Sequence, residues 1–231
     1  MSLLRSLLPQ FVSCEEAFED IAGAQLYPEE EPLVARAVGK RRREFTTTRH
    51  LARLALARHG HGDGPLLTGP GREPLWPSRV VGSLTHCDGY RGAAVAHRTS
   101  VASVGIDAEP HAPLPPDVVR QVVLPQERAA WSGLSPDVAW DRLLFSAKES
   151  VYKAWYPLTG RWLGFEDAVL RLQPTSSDAL AGEFEATLLA DSVVLDGQAL
   201  CTFRGRYLVS KGLVLTAVLV RWPAENRPLP C

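Results

Sequence analysis

Apolar and polar positions recur along this chain with two different periods, and the periods mark its elements. Between residues 29 and 59 the spacing is helical, beginning in EEEPLVARAVGKRRREF and resuming in TTTRHLARLALARHG until Gly60 ends it. The second half of that segment places Leu51, Leu54, Ala55 and Leu56 on one apolar stripe and turns its arginines outward. Residues 60–78 are rich in glycine and proline and read as loop with at most a short strand. Three β-like runs follow: VVGSLTH (80–86), YRGAAVAH (90–97) and VASVGID (101–107). Only Arg98-Thr99-Ser100 separates the last two, so a hairpin is the economical expectation.

After Glu109 the proline-rich PHAPLPP breaks the chain. DVVRQVVLPQERAAW predicts one or two short helices, and Ser135-Pro136 caps a longer one over about 137–156. At 3.6 residues per turn Trp140, Leu144, Ala147, Val151 and Trp155 share the core side of that helix. Glu149 falls almost opposite, with Lys153 one turn later beside it. EFEATLLA (183–190) and RYLVSKGLVLTAVLVR (206–221), the latter turning at Ser210-Lys211-Gly212, predict the last strands. Each half thus carries helices and ends in a hairpin. The expectation is an α+β protein of two similar α/β lobes related by a pseudo-two-fold, residues 1–108 and 109–231.

Composition narrows the class. At 231 residues and 45% apolar content the chain can bury a full core. A net charge of −1 gives no global field toward nucleic acid or an anionic membrane, so any basic partner site must be local. No apolar stretch reaches the roughly eighteen residues of a membrane span, and MSLLRSLLPQFVSCEE lacks the layout of a signal peptide. A cytoplasmic location is expected. Cys14, Cys87, Cys201 and Cys231 are scattered, without CxxC or zinc-type spacing, and reduced thiols are expected.

Charge chemistry gathers in two places. Lysine is scarce beside arginine, yet Lys148 and Lys153 both fall inside FSAKESVYK, residues 145–153. Alone, Glu149 and Lys153 read as a surface i,i+4 pair worth about 0.3–0.5 kcal/mol. In VASVGIDAEP, strand alternation sends Val104 and Ile106 to one face and Asp107 and Glu109 to the other, where Pro110 ends the strand. Two carboxylates about 4 Å apart repel by roughly 4 kcal/mol at an effective dielectric near 20. Either water screens them or a cation sits between them, and oxygen-only ligands suit Mg²⁺.

Taken together the two stretches resemble the two-part signature of the 4′-phosphopantetheinyl transferases, in their longer surfactin- and enterobactin-type class. Gly105-Ile106-Asp107-Ala108-Glu109 matches G-[IV]-D-x-E. Phe145 to Lys153 matches [FW]-[SC]-x-K-E-[SA]-x-x-K. GSLTHC (82–87) and RRREFTTTRHLARLAL, around 42–56, resemble the family's coenzyme A contacts. The resemblance implies transfer of the 4′-phosphopantetheine arm of coenzyme A to a serine of an apo acyl- or peptidyl-carrier protein, releasing adenosine 3′,5′-bisphosphate. It implies one Mg²⁺, with Mn²⁺ as a substitute, held by Asp107, Glu109 and Glu149. Lys153 becomes the charge stabiliser or proton donor toward the leaving phosphate, and Glu149, directly or through a water, the general base on the carrier serine.

The same resemblance assigns coenzyme A contacts to Arg41 and Arg49 on the basic helix and to Thr85 and His86 after the first strand. Arg72, in Gly71-Arg72-Glu73-Pro74, stands where many relatives carry the lysine of a G-K-P loop, and arginine is not a neutral replacement. Lys148 either reaches the coenzyme A phosphates or covers apolar surface with its stem. Val118, Val119, Val122 and Leu124 offer either a docking surface for an acidic helical carrier or core. A two-lobed length implies a monomer with its site in the cleft between lobes. The competing readings are another Mg²⁺-dependent phosphate-ester enzyme built on Asp107 and Glu109, and a non-catalytic module that binds carrier proteins or nucleotides. Which carriers and pathway are served is not written in the sequence.

Overall fold

The computed structural model describes residues 2–131, 134–175, 177–189 and 192–223. The chain runs α1 (Leu3–Leu7), β1 (Ser13–Ala17), a 3-10 turn (Glu31–Val34), α2 (Gly39–Ala57), β2 (Val80–Cys87), β3 (Tyr90–His97), β4 (Ser103–Pro110), α3 (Pro116–Val122), α4 (Pro125–Ala129) and α5 (Trp140–Thr159). A second 3-10 turn (Phe165–Asp167) leads into β5 (Ala168–Pro174), β6 (Ala181–Leu188), β7 (Val193–Leu195), β8 (Gln198–Leu200), β9 (Thr202–Ser210) and β10 (Leu213–Val220). All the strand pairs are antiparallel, in a three-stranded sheet ordered β1-β3-β2, a five-stranded sheet ordered β4-β10-β9-β6-β5, and the small β7-β8 pair. The protein is α+β, as expected.

Period-two alternation explains the layering. Along β3, Ala93 and Val95 meet Leu51, Ala52, Ala55 and Leu56 of α2, while Tyr90, Ala94 and Ala96 face the second sheet. Along β10, Leu213, Leu215 and Ala217 join α1 and the first sheet in one core, and Val214 and Val218 join α5 in another. The molecule therefore stacks α2, the three-stranded sheet, the five-stranded sheet and α5. Lys211 (φ 52) and Gly212 (φ 71) form the two-residue β9–β10 turn, whose positive φ angles match the strand twist.

Several expectations change. Residues 90–97 and 101–107 do not form a hairpin: β3 pairs with β2 and β1, whereas β4 crosses to β10, with Asp107 opposite Thr216. Burial accompanies this, because Val104, Gly105 and Ile106 are covered on both faces where β4, at the edge of the five-stranded sheet, is sandwiched between the first sheet and α5. Position 108/109 consequently lies within β4. Residues 29–38 are not α-helical: Val38 is extended (φ −62, ψ 154) and α2 starts at Gly39. Leu54 is 44% exposed, since it lies between Ala52 and Leu56 on the opposite side of the helix. The long helix begins at Trp140, three residues later than the expected start at about 137, and Trp140 Nε1 donates to Ser135 O at 2.8 Å. Val122 is core, with Val118 and Val119 half-buried against it. Cys14 and Cys87 are free, but Cys201 is disulfide-bonded, against the expectation of reduced thiols. Residue 190, the expected end of one strand, and Cys231 lie outside the described residues. Among the described residues no helix is long and apolar enough to cross a membrane.

Candidate active site

Two contacts bring the signature stretches together. A Cβ on Gly105 would overlap the Ser150 carbonyl oxygen and lie 2.8 Å from Ala154 N, so α5 rests directly on bare backbone of β4. Ser146 and Ser150 then hydrogen-bond to Thr216 Oγ1 at 2.9 and 2.6 Å, and Thr216 donates to Ser146 O at 2.9 Å. All three are wholly buried. Thr216 is the register partner of Asp107, so this clasp fixes the helix at the level of the aspartate. Lys153 Nζ consequently donates to Asp107 Oδ1 at 2.7 Å and to Ile106 O at 3.2 Å.

The other edge of β4 is met by hydroxyls rather than a backbone ladder. Ile106 N donates to Ser83 Oγ at 3.0 Å and Ala108 N to Thr85 Oγ1 at 2.9 Å, while Thr85 Oγ1 donates to Asp107 Oδ1 at 3.3 Å. Thr85 was expected to contact coenzyme A; it lines the cavity, but its hydroxyl is committed to β4 and Asp107.

The cavity itself measures about 850 Å³ and lies between α2, the loop around residues 68–76, β2, β4 and α5. Arg41, Arg49, Arg72, Thr85, His86, Asp107, Glu149 and Lys153 all line it, eight of the ten residues singled out from the sequence. The Arg41 guanidinium rests against the His86 imidazole, and His86 Nδ1 is 3.4 Å from the Glu44 carboxylate. Burial and the cations Arg41, Lys153, Arg91 and Arg49 hold the His86 pKa far below its ordinary value, so the ring is neutral near pH 7. Arg49 was expected to face outward but is buried. It stacks 4.2 Å over the Phe45 ring, with Nε 3.9 Å from Glu30 Oε1, and burial lowers its pKa to about 10.

Glu109 and Lys148 do not line this cavity. Glu109 accepts from Arg142 Nη1 at 2.8 Å, and among the described residues no group of three or more His, Cys, Asp or Glu side chains is arranged to hold a metal ion. Lys148 donates to Val122 O at 2.9 Å and Phe165 O at 2.6 Å, and pairs with Glu127 at 3.1 Å. Glu127, wholly buried, also accepts from Leu124 N and Leu170 N. The Lys148 ammonium therefore ties α5 to α3, α4 and the 3-10 turn before β5, and a coenzyme A contact by that group is not supported. Its position on the flank of the buried stripe, beside segments that offer free carbonyls, is the reason.

Burial, and Asp107 nearby, raise the Glu149 pKa above the usual carboxylate range, with Lys153 opposing. Glu109 is raised for the same two reasons, with Arg142 and Lys153 opposing. Among the described residues, three buried side-chain polar atoms lack any hydrogen-bond partner: Arg49 Nε, Glu73 Oε2 and Asp107 Oδ2. All three residues line this one cavity. Buried polar groups are otherwise paired, so a donor and two acceptors without partners on three residues lining one cavity mark a ligand site. Glu73 and Thr216 were missed from the sequence; nothing in their local pattern sets them apart. Glu149 and Tyr152 also border a second cavity of about 260 Å³ lined by Trp162, Leu163 and Phe165.

Residues 29–96 match the family described as 4′-phosphopantetheinyl transferase N-terminal domain, and residues 103–207 the 4′-phosphopantetheinyl transferase superfamily. The chain is 51% identical over 229 residues to 4′-phosphopantetheinyl transferase PptT of Mycobacterium tuberculosis, covering 95% of this chain and 98% of that one. It is 51% identical over 228 residues to 4′-phosphopantetheinyl transferase Svp of Streptomyces mobaraensis (96% and 91% covered), and 47% identical over 221 residues to Npt of Nocardia iowensis (94% and 99%).

Proposed function

The chain belongs to the 4′-phosphopantetheinyl transferase superfamily, and on that premise we propose that it transfers the 4′-phosphopantetheine arm of coenzyme A to a serine hydroxyl of apo acyl- or peptidyl-carrier proteins. The observation that carries the site assignment is the set of unpaired atoms. Arg49 Nε lacks an acceptor, as a phosphate provides; Asp107 Oδ2 lacks a partner, as a cation provides; and both residues line the same 850 Å³ space.

Arg41, Arg49 and the neutral His86 bind the nucleotide phosphates on the α2 side, and Arg72 adds charge from the loop. The diphosphate then lies toward Lys153, which Asp107 and Ile106 O hold in place. The smaller cavity beyond Glu149, walled by Tyr152, Leu163 and Phe165, receives the pantetheine arm. Glu149, made more basic by burial and by Asp107, takes the proton of the carrier serine as that oxygen attacks the β-phosphorus. The bond to the leaving phosphate oxygen breaks, and Lys153 stabilises the charge gathering there; adenosine 3′,5′-bisphosphate departs.

Magnesium fits the donor set, which is all carboxylate oxygen and includes the unpaired Asp107 Oδ2; Asp107, Glu149 and Glu109 would hold it, Glu109 leaving Arg142 to do so. When bound it supplies two positive charges to the diphosphate. Because the described residues of one chain line the whole cavity, a monomer suffices. The acting compartment we take to be the cytoplasm.

The test combines the protein with coenzyme A, Mg²⁺ and a panel of apo carrier domains and follows carrier mass. Addition of phosphopantetheine to a serine is expected, and Glu149→Gln should abolish it with the fold retained. A Glu149→Gln protein that turns over normally removes the base and metal roles together.

A further inference from the structure

The repulsion expected between Asp107 and Glu109 is relieved by side-chain cations, one for each carboxylate. Asp107 Oδ1 accepts from Lys153 Nζ at 2.7 Å, and Glu109 Oε2 accepts from Arg142 Nη1 at 2.8 Å. The two cations stand on different sides of the site. Lys153 lines the 850 Å³ cavity together with Asp107 and Glu149, and donates to Ile106 O of β4 itself. Arg142 and Glu109 do not line it. Arg142 rises from the first turn of α5, and its Nε and Nη2 donate to Ala112 O at 3.0 Å and Pro113 O at 3.3 Å in the linker that follows β4. That linker is fixed to the same helix end by two further bonds: Leu114 N donates to Asp141 Oδ2 and Ala139 N to His111 Nε2, both at 3.0 Å.

We propose that Arg142 is a built-in competitor of the metal: it keeps Glu109 out of the cavity that Asp107 and Glu149 line, and so sets how tightly the site takes a divalent cation. This deepens the magnesium reading and rests on it. A guanidinium carries five N–H donors in a rigid fork, which lets Arg142 serve one carboxylate and two carbonyls at once. When Glu109 turns to a metal, Arg142 gives up one of those contacts and keeps Ala112 O and Pro113 O. The exchange therefore needs no rearrangement of the linker. The opposition is electrostatic: an arginine beside a carboxylate lowers its affinity for a proton by about ten- to a thousandfold, and a divalent cation meets the same charge at the same oxygens. Lys153 does not share this part, because its ammonium is tied to the strand and to Asp107 inside the cavity.

The experiment measures Mn²⁺ dissociation constants from the EPR signal of the free ion, at about pH 8 where carboxylates are ionised, with coenzyme A present, no carrier, and a protein-free blank. Wild type, Arg142→Gln, Glu109→Gln and the double variant are compared. Arg142→Gln should bind Mn²⁺ about tenfold or more tighter than wild type. In the Glu109→Gln background the same change should shift affinity by about threefold or less, since the oxygens in contest are gone. The sign separates competition from support: a merely structural arginine, once lost, would loosen the linker and weaken binding. An Arg142→Gln protein with unchanged or weaker affinity overturns the proposal, as does a gain that persists in full without Glu109; both leave the magnesium reading in place. Wild type and Arg142→Gln that bind no Mn²⁺ at millimolar concentration overturn both.

Discussion

Gly105→Ala is the sharpest test of how the site is assembled. The added methyl would overlap the Ser150 carbonyl oxygen and sit 2.8 Å from Ala154 N and 3.0 Å from the Ser150 carbonyl carbon. These are helix backbone atoms, so no side chain can turn aside; α5 must lift from β4. Overpacking of this kind costs about 1–3 kcal/mol, roughly 2–12 °C in Tm for a chain of this size. The effect on activity should be larger than stability suggests. Lifting α5 stretches the 2.7 Å bond from Lys153 to Asp107 and the serine clasp on Thr216, and a displacement of about 1 Å at reacting groups can cost on the order of 10²-fold in rate. The assay pairs holo-carrier formation with a thermal melt of the same preparation. The expected outcome is a folded protein with a modestly lower Tm and kcat/KM reduced about a hundredfold or more. Turnover within about threefold of wild type in a protein whose Tm has fallen as predicted would refute the claim that this contact sets the catalytic spacing.

Two further outcomes follow from buried charge. Lys148→Met leaves Glu127 without its cation, and loss of one partner of a buried pair should cost about 3–5 kcal/mol in urea melts; Lys148→Met combined with Glu127→Gln should recover part of that, and a strictly additive double variant contradicts the pairing. His86 titrates well below its unfolded value of 6.5, so its contribution to stability is complete above that pH and lost as pH falls from 6.5 toward about 3. Melts at about pH 7.5 and 4.5 should show wild type losing more stability than His86→Gln, and equal losses would mean the imidazole is not held neutral in the fold.

What could be read in the sequence follows the range of the interactions involved. The spacing of Trp140, Leu144, Ala147, Val151 and Trp155 is set by one helix and its buried side, and every one of them is buried. The alternation that sends Asp107 away from Val104 and Ile106 is equally local. By contrast, β4 pairs with β10 about a hundred residues away, and nothing in residues 98–102 announces that the chain passes over a three-residue turn without closing it. Arg49 defied the rule that helical arginines face water because Phe45 and Glu30 receive it, and Glu30 lies outside the helix altogether. The buried carboxylates Glu30 and Glu127 are similarly illegible, since their partners are backbone amides and cations brought to them only by the fold.

The two signature stretches contain residues of two kinds, and the division explains their length. Asp107, Glu149 and Lys153 face the cavity, but they could not meet there unless strand and helix lay closer than ordinary side chains allow. Gly105 removes the side chain at the crossing point, while Ser146 and Ser150, one turn apart, straddle Thr216 and stop the helix from sliding along the strand. Lys148, between the serines, points to the other flank and holds α3 and α4 against the same helix. Half of what reads as catalytic signature is therefore a packing specification. A substitution at Ser146 or Ser150 should disturb the Asp107–Lys153 distance even though neither hydroxyl reaches the cavity.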